Sequence, residues 1–196
     1  MPRLARYRSW LVFATTLCAG MAAGWVGLPA VLYERLPQPL AFDHVRHTTG
    51  AGLGCADCHE LTAGRGQGLP RTAKCAECHA QAIGASAAEK RLVDEYVTPG
   101  REIPWLVHAR QPDNVWFPHT PHAAAKVACE RCHGARGAST KVEPFERNRL
   151  TGYSRDLWGH SPARLGRAPG DGMKMTDCIA CHRRSHVEDA CLDCHT

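Results

Sequence analysis

Five copies of the pattern Cys-x-x-Cys-His limit what this chain can fold into more than any other feature. They lie at Cys55–His59, Cys75–His79, Cys129–His133, Cys178–His182 and Cys191–His195. The spacing is that of the attachment site of c-type haem, in which two thiols form thioether bonds with the porphyrin. The thiols are those of Cys55, Cys58, Cys75, Cys78, Cys129, Cys132, Cys178, Cys181, Cys191 and Cys194. We therefore expect five covalently bound haem c groups.

The histidine that ends each motif lies where it can bind the haem iron as proximal ligand. These residues are His59, His79, His133, His182 and His195. A Cys-x-x-Cys pair also occurs in zinc sites and in redox-active disulfides. Neither of those requires a histidine directly after the second cysteine in every copy, so the sequence favours haem attachment over both alternatives.

An uncharged apolar segment precedes the motifs. Residues 10–33 contain no charged side chain, and about 20 apolar residues span a bilayer as a helix. Three arginines precede this segment, and positive charge stays on the cytoplasmic side. We predict a cytoplasmic N-terminus (residues 1–9), a transmembrane anchor (residues 10–33) and a periplasmic multihaem cytochrome c domain (residues 34–196). The protein is thus expected in the cytoplasmic (inner) membrane, as a single-pass protein with its bulk on the periplasmic side.

A cleaved signal peptide is the alternative interpretation of this segment. Small residues around positions 19 to 24 would supply a cleavage site, but the apolar run is longer than the core of a usual signal peptide. Both interpretations export the rest of the chain, which agrees with haem attachment outside the cytoplasm. Cys18, the one cysteine outside the motifs, is expected to be a buried apolar residue of the helix.

The length available for each haem predicts the fold class. The 163 residues after Tyr33 provide only about 33 residues per haem, too few to build an ordinary side-chain core as well. We predict a multihaem cytochrome c of mostly loops and short α-helices wrapped around a haem core, plus one N-terminal transmembrane helix. Ser86–Val97 should be a short helix with Glu89 outward, Thr98–Pro118 an extended segment, and residues 134–172 a long loop.

The formal charge of +5 gives no support for nucleic-acid binding. Three of the positive charges precede the apolar segment, so the exported part carries 21 basic and 19 acidic residues. Haem propionates would make the holoprotein net negative.

An internal repeat supplies candidates for the second axial ligands. Phe42-Asp-His44-Val-Arg-His47 and Phe117-Pro-His119-Thr-Pro-His122 both read Phe-x-His-x-x-His, and each precedes a haem motif by six or seven residues. In each repeat one histidine would serve the following haem and the other a different haem. The distal candidates are His44, His47, His119, His122 and, between the last two motifs, His186. His108 and His160 are weaker candidates, and Met173 or Met175 would be an alternative ligand near Cys178.

The repeat together with the motifs resembles class III multihaem cytochromes c. The layout of the whole chain, an N-terminal apolar helix followed by two and then three motifs, resembles the multihaem subunit of alternative complex III and of the menaquinone reductase complex Qrc. The segments Ile103–His119 and Asn148–Ser154 look closer to the Qrc subunit. That subunit is usually described with six haems, whereas five motifs stand here. Twelve histidines would ligate six haems, so a sixth is numerically possible.

The resemblance implies an electron-transfer subunit rather than an enzyme. Such a subunit relays electrons between a membrane quinone (menaquinone) oxidoreductase module and periplasmic redox partners. The implied partners are membrane-embedded quinone-binding subunits, iron–sulfur/molybdopterin-like periplasmic subunits and periplasmic cytochromes. The alternative is a stand-alone membrane-anchored quinol dehydrogenase cytochrome of the NapC/NrfH type. A multihaem enzyme with an open iron position is disfavoured by the supply of histidines, and a soluble shuttle would require cleavage of the apolar segment.

Overall fold

The N-terminal apolar segment forms one long helix, α1 (Pro2–Leu32), in a computed structural model that describes residues 2–60, 68–107, 114–152, 173, 175–188 and 191–195. At 1.5 Å per residue the helix is about 46 Å long. Its part Tyr7–Gly27 is long and apolar enough to cross a membrane and is not buried inside the protein. The helix begins earlier than the predicted anchor, and Tyr33, predicted as its last residue, belongs to the strand that follows.

Cys18 lies exposed on α1, so the expectation that it is buried is wrong for this chain. The reason is that the apolar part of α1 extends away from the rest of the protein, so no other element covers it. The side chain therefore faces whatever surrounds the helix.

A two-stranded antiparallel sheet connects α1 to the rest of the protein. Strand β1 (Tyr33–Leu36) follows α1 directly and pairs with β2 (Phe145–Asn148), with Leu36 opposite Phe145. Ion pairs join the strands, among them Arg35 to Glu146 at 2.8 Å. The prediction of a continuous loop over 134–172 is wrong at β2 and at a 3₁₀ turn, Arg136–Ala138. Such a short strand has no periodic signal of its own and forms only because a partner more than a hundred residues away is brought beside it. The remainder of that prediction, residues 153–172, lies outside the described residues.

Each Cys-x-x-Cys-His motif lies wholly or partly on a short helix. The helices are α2 (Cys55–Cys58), α3 (Thr72–His79), α6 (Glu130–His133), α7 (Met175–Arg184) and α8 (Cys191–Cys194). The histidine pairs of the repeat lie on a π-helical turn (Arg46–Gly50) with the residues just before it, and on α5 (His119–Ala124). Each candidate ligand is thus held by a local backbone structure.

The predicted helix over Ser86–Val97 is confirmed as α4 (Ala87–Leu92), which continues into a π-helical turn (Val93–Val97). The Ser86 hydroxyl caps it by accepting the backbone N–H of Glu89. One detail of the prediction is wrong, because the side chain of Glu89 is only 11% exposed and contacts a motif histidine. A glutamate at this position of a capped helix commonly turns back toward the chain before the helix.

The side-chain core is very small. Among the described residues the buried apolar side chains are Leu40, Ile103 and Phe145, and the hydroxyl of the buried Thr72 accepts the backbone N–H of Ile103. The described part of Thr98–Pro118 has no regular element, as predicted. The described part of the chain, with these three buried apolar side chains, lacks the burial that ordinarily offsets the conformational entropy of folding. Additional apolar groups between the short helices would supply it.

Phe145 should therefore be unusually important for stability. Truncating a buried phenylalanine costs about 3–5 kcal/mol, and Phe145 is only 7% exposed. We expect Phe145→Ala to lower the midpoint of thermal unfolding, followed by circular dichroism of the purified protein. Leu150→Ala is the matched control, because Leu150 is 81% exposed and such surface changes usually stay within about 0.5 kcal/mol. Equal midpoints for the two variants would contradict the small-core description.

Candidate haem-binding site

The second repeat brings its two histidines to two different haem motifs. On α5, the ring of His119 lies 6.2 Å from that of His133, centroid to centroid, with an interplanar angle of 4°. The ring of His122, one turn further, lies 6.1 Å from that of His182. The two residues are three positions apart, so they lie on the same side of the helix. Helix α5 therefore stands between the third and the fourth motif.

The first repeat follows the same plan. The ring of His47 lies 6.2 Å from that of His79, in the second motif. His44 lies close enough to His59, in the first motif, for the charge of that imidazole to lower its pKa. In each repeat, therefore, the first histidine is beside the next motif and the second histidine is beside the motif after that.

The phenylalanine of the repeat has a structural role in both copies. Phe42 stacks on the second histidine of its repeat, His47, with centroids 4.5 Å apart. Phe117 lies against His122 at 4.6 Å, with the rings tilted by 31°. Each phenylalanine also contacts the first histidine edge-on, at 4.8 Å in both copies. The aromatic ring thus fixes the orientation of both imidazoles, which explains why Phe recurs in the pattern.

The separations of the ring pairs fit a metal ion between the imidazoles. Bonds from a metal ion to an imidazole nitrogen are about 2.0–2.1 Å long and the ring centroid lies about 1.1 Å further back, so two imidazoles on opposite sides of one ion have centroids about 6.3 Å apart. The three pairs measure 6.1 to 6.2 Å. The very small side-chain core leaves room for the porphyrins, so the residues present fit haem.

Hydrogen bonds at Nδ1 leave Nε2 of several of these rings available as a ligand. His47 donates its Nδ1 proton to the carbonyl of Asp43 at 2.8 Å, and His122 donates to the carbonyl of Pro118 at 2.9 Å. Nδ1 of His44 lies 3.0 Å from the hydroxyl of Ser139, which itself donates to a backbone carbonyl and so accepts from the imidazole. Such outer hydrogen bonds fix the tautomer and orientation of metal-binding histidines.

The second motif has a different acceptor, a carboxylate. Nδ1 of His79 lies 2.8 Å from Oε1 of Glu89, and both side chains are largely buried, with exposures of 19% and 11%. The pKa of the Glu89 carboxyl is lowered from its ordinary value, chiefly by the backbone N–H of Ile83 and further by the hydrogen bond from His79. Glu89 is therefore an anion in contact with a motif histidine.

Burial keeps several of these imidazoles in the neutral form that binds metals. It is the main reason for the lowered pKa of His44, His119 and His133, and neighbouring imidazoles lower each pKa further. Among the described residues Nδ1 of His119 is buried without a hydrogen-bond partner, and so is Nε1 of Trp105, beside Phe42. Neutral imidazole is the state required for ligation.

Electrostatic interactions between cysteines indicate which motifs are neighbours. The Cys55 thiol interacts directly with that of Cys129, which joins the first motif to the third. Burial first, and then the charge of a cysteine in another motif, raises the pKa of Cys75, Cys132 and Cys178. The neighbour of Cys75 is in the first motif, and Cys132 and Cys178 are neighbours across the third and fourth motifs.

Backbone contacts agree with this order. The N–H of His44 donates to the carbonyl of Ser139 at 2.9 Å, which attaches the first repeat to the chain just after the third motif. The N–H of Trp116 donates to the carbonyl of Cys194 at 2.7 Å, and Val115 forms a bridge with His195, so the fifth motif lies beside the start of the second repeat. The charge of Cys194 also raises the pKa of Cys178, so the fifth motif lies near the fourth as well. By these interactions the motifs run second, first, third, fourth and fifth, an order that differs from the order along the chain.

The distal position opposite His195 has no candidate among the histidines that the structure describes. His186, the candidate from the sequence, is exposed just after α7 with φ of 54°, and among the described residues no other imidazole is in ring contact with it. Met175 is 58% exposed at the start of α7, and Met173 is half-buried. His108 and His160 lie outside the described residues.

The zinc and disulfide alternatives find no matching geometry in the part of the chain that the structure describes. There, no three Cys, His, Asp or Glu side chains gather as the ligands of a zinc site would. The ten described cysteines are all free thiols, as thioether formation requires.

Sequence reasoning missed two residues beside the candidate ligands, Glu89 and Ser139. The pattern Ser86-Ala-Ala-Glu89 is a recognisable capping signal and indicates that this glutamate turns toward the helix start, although not toward a histidine. For Ser139 the sequence carries no signal, because its contact with His44 joins residues 95 positions apart.

Comparison with known proteins gives one informative match. No family model matches the sequence. The chain is 36% identical over 200 aligned residues to the menaquinone reductase multiheme cytochrome c subunit of Nitratidesulfovibrio vulgaris (strain Hildenborough). The alignment covers 93% of this chain and 88% of that protein.

Proposed function

This chain belongs to the family of the multihaem cytochrome c subunit of menaquinone reductase, and from that membership we propose that it is an electron-transfer subunit of a quinone oxidoreductase complex. It relays electrons between a membrane menaquinone module and periplasmic redox partners. The resemblance inferred from the motifs is thereby confirmed at the level of the family. The observation that carries the proposal is the set of three imidazole pairs, each at a separation that fits one metal ion.

The residues divide into three tasks in this proposal. Each Cys-x-x-Cys pair holds one haem covalently, and the following histidine binds the iron from one side. His47, His119 and His122 would bind the irons of the haems at the second, third and fourth motifs, and His44 would bind that at the first. When bound, each haem supplies a one-electron couple between ferric and ferrous iron.

Two imidazoles on one iron leave no position for a substrate. The protein therefore binds and orients haem and keeps other ligands away from four irons, which supports a transfer role rather than catalysis. The proximity of cysteines from neighbouring motifs keeps consecutive haems close together in the order second, first, third, fourth, fifth. This order gives a continuous row with the second and the fifth motif at its ends.

The N-terminal helix supports the membrane side of the proposal. Tyr7–Gly27 has the length and composition of a membrane span. Strand β1 follows α1 without an intervening linker and pairs with β2. The haem-bearing part of the chain would therefore stay close to the bilayer. We propose membrane-embedded quinone-binding subunits as neighbours there, and iron–sulfur/molybdopterin-like subunits and periplasmic cytochromes as partners on the periplasmic side.

A mass measurement with a ligand-binding test checks the proposal. We expect the purified full-length chain to carry five haems or more, to retain residues 1–33, and to show low-spin ferric haems of which at least four bind no carbon monoxide when reduced. Zinc in place of haem, or carbon monoxide binding by most of the haems, would overturn it. Menaquinol oxidation by the isolated chain, without other subunits, would indicate a quinol dehydrogenase of the NapC/NrfH type instead.

A further inference from the structure

The carboxylate of Glu89 is held rigidly against His79. Its Oε1 accepts the Nδ1 proton of His79 at 2.8 Å and the backbone N–H of Ile83 at 2.9 Å. Its Oε2 accepts the backbone N–H of Gly84, also at 2.9 Å. With Ser86 capping the same helix, both carboxylate oxygens have defined partners and little freedom to rotate. This constellation fixes an anion, rather than a neutral acceptor, on a proximal imidazole.

An anionic acceptor affects the imidazole more strongly than a carbonyl does. Hydrogen bonds to an ionised acceptor are roughly twice as strong as those between neutral groups, and the outer partner of a metal-binding histidine raises its basicity. The opposite ring, His47, donates to the carbonyl of Asp43, and His122 likewise donates to a carbonyl. A more basic imidazole stabilises ferric iron over ferrous iron, because the ferric ion carries the additional positive charge.

We propose that Glu89 is a positioning residue that, through His79, lowers the reduction potential of the haem attached at Cys75 and Cys78. This inference rests on the proposed ligation of that haem by His79 and His47. The second motif stands at one end of the row of motifs, so the haem with the lowered potential is a terminal one. The haem at this end of the row therefore has a lower reduction potential than it would have if His79 donated to a carbonyl.

A redox titration of the haem-loaded full-length protein, followed by optical and electron paramagnetic resonance spectra, tests this proposal. Glu89→Gln keeps an oxygen acceptor but removes the charge. We expect the potential of one haem to rise by an amount equal to about a tenfold change in its oxidised-to-reduced ratio, or 59 mV for a one-electron couple. The other haems should keep their potentials.

Glu95→Gln is the matched control. It removes the same charge from the same helical segment, but Glu95 pairs with Arg91 on the exposed side. We expect its titration to match that of the unchanged protein. Equal titrations for E89Q and E95Q, with all haems retained, would overturn the proposal.

Glu89→Asp keeps the inference testable if E89Q loses a haem. Aspartate retains the charge, but its side chain is one methylene shorter and places the charge further from His79. The potential should therefore rise relative to the unchanged protein, by less than in E89Q. An unchanged potential in E89D would then overturn the proposal. The underlying ligation is checked separately in the unchanged protein: a high-spin signal from the haem at Cys75 would defeat the proposed function, whereas a low-spin signal without an E89Q shift would defeat only the role of Glu89.

Discussion

Replacing His122 by alanine will leave one haem iron with an open axial position, and that haem will become high-spin in the ferric state and bind carbon monoxide in the ferrous state. The structure places the His122 ring 6.1 Å from that of His182 and fixes it by a tilted ring contact with Phe117 and by a hydrogen bond to the Pro118 carbonyl. Removing the His122 side chain should change only the ligation of the fourth haem. The number of haems should stay the same, because the thioether bonds to Cys178 and Cys181 remain. Absorption spectra with carbon monoxide and electron paramagnetic resonance measure both effects.

His186→Ala is the matched control for this prediction. The sequence also makes His186 a candidate distal ligand, next after the four repeat histidines, because it lies between two motifs. It is exposed, however, and has no imidazole neighbour in ring contact among the described residues. We expect this variant to bind carbon monoxide no more than the unchanged protein does. If H186A gained a high-spin haem and H122A did not, the assignment of distal ligands from ring geometry would be wrong.

Replacing both Cys129 and Cys132 by alanine will have the largest effect on electron transfer. The third motif lies between the first and the fourth, because Cys55 interacts with Cys129 and Cys132 lies near Cys181 of the fourth motif. Loss of its haem would divide the row into two pairs. Electron tunnelling falls steeply with distance, so we expect transfer from a menaquinol analogue to a periplasmic acceptor to fall to background in the intact complex. Mass measurement of the variant should show one haem fewer.

Cys75→Ala with Cys78→Ala supplies the comparison, because the second motif is at the end of the row. After rapid addition of one electron equivalent to the oxidised protein, its four remaining haems should still equilibrate in a single fast phase. The Cys129/Cys132 variant should show two separate phases. A single fast phase in both variants would contradict the proposed order of the haems.

The pairing of the repeat could be predicted from the sequence only in outline. The spacing of three residues between His44 and His47, and between His119 and His122, places both imidazoles of a repeat on one side of a turn. That spacing predicts that each repeat supplies ligands to two haems. It does not predict which haems, because the path of the intervening chain decides which motif comes to lie beside each histidine. The structure shows His122 beside His182, 60 positions away and across a segment with no periodic pattern.

The error at Glu89 has a related cause. Charged side chains on a short amphipathic helix are expected to face water, and the neighbours Lys90 and Arg91 do so. Glu89 turns inward because His79 and the N–H groups of Ile83 and Gly84 offset the loss of water around its charge. Such compensation depends on how α3 and α4 are placed in space, and no local rule contains it.

By itself the sequence was enough to identify the family, through five Cys-x-x-Cys-His motifs, two histidine repeats and an apolar N-terminal segment, and it indicated too little chain for an ordinary core. These features are local, since each depends on spacings of a few residues or on composition. Only the tertiary structure decided which imidazoles face each other, that β1 is paired by β2, that Glu89 contacts His79, and that the motifs run second, first, third, fourth and fifth. Those relations join residues far apart along the chain, and they are set by tertiary packing, which leaves no periodic trace in the sequence.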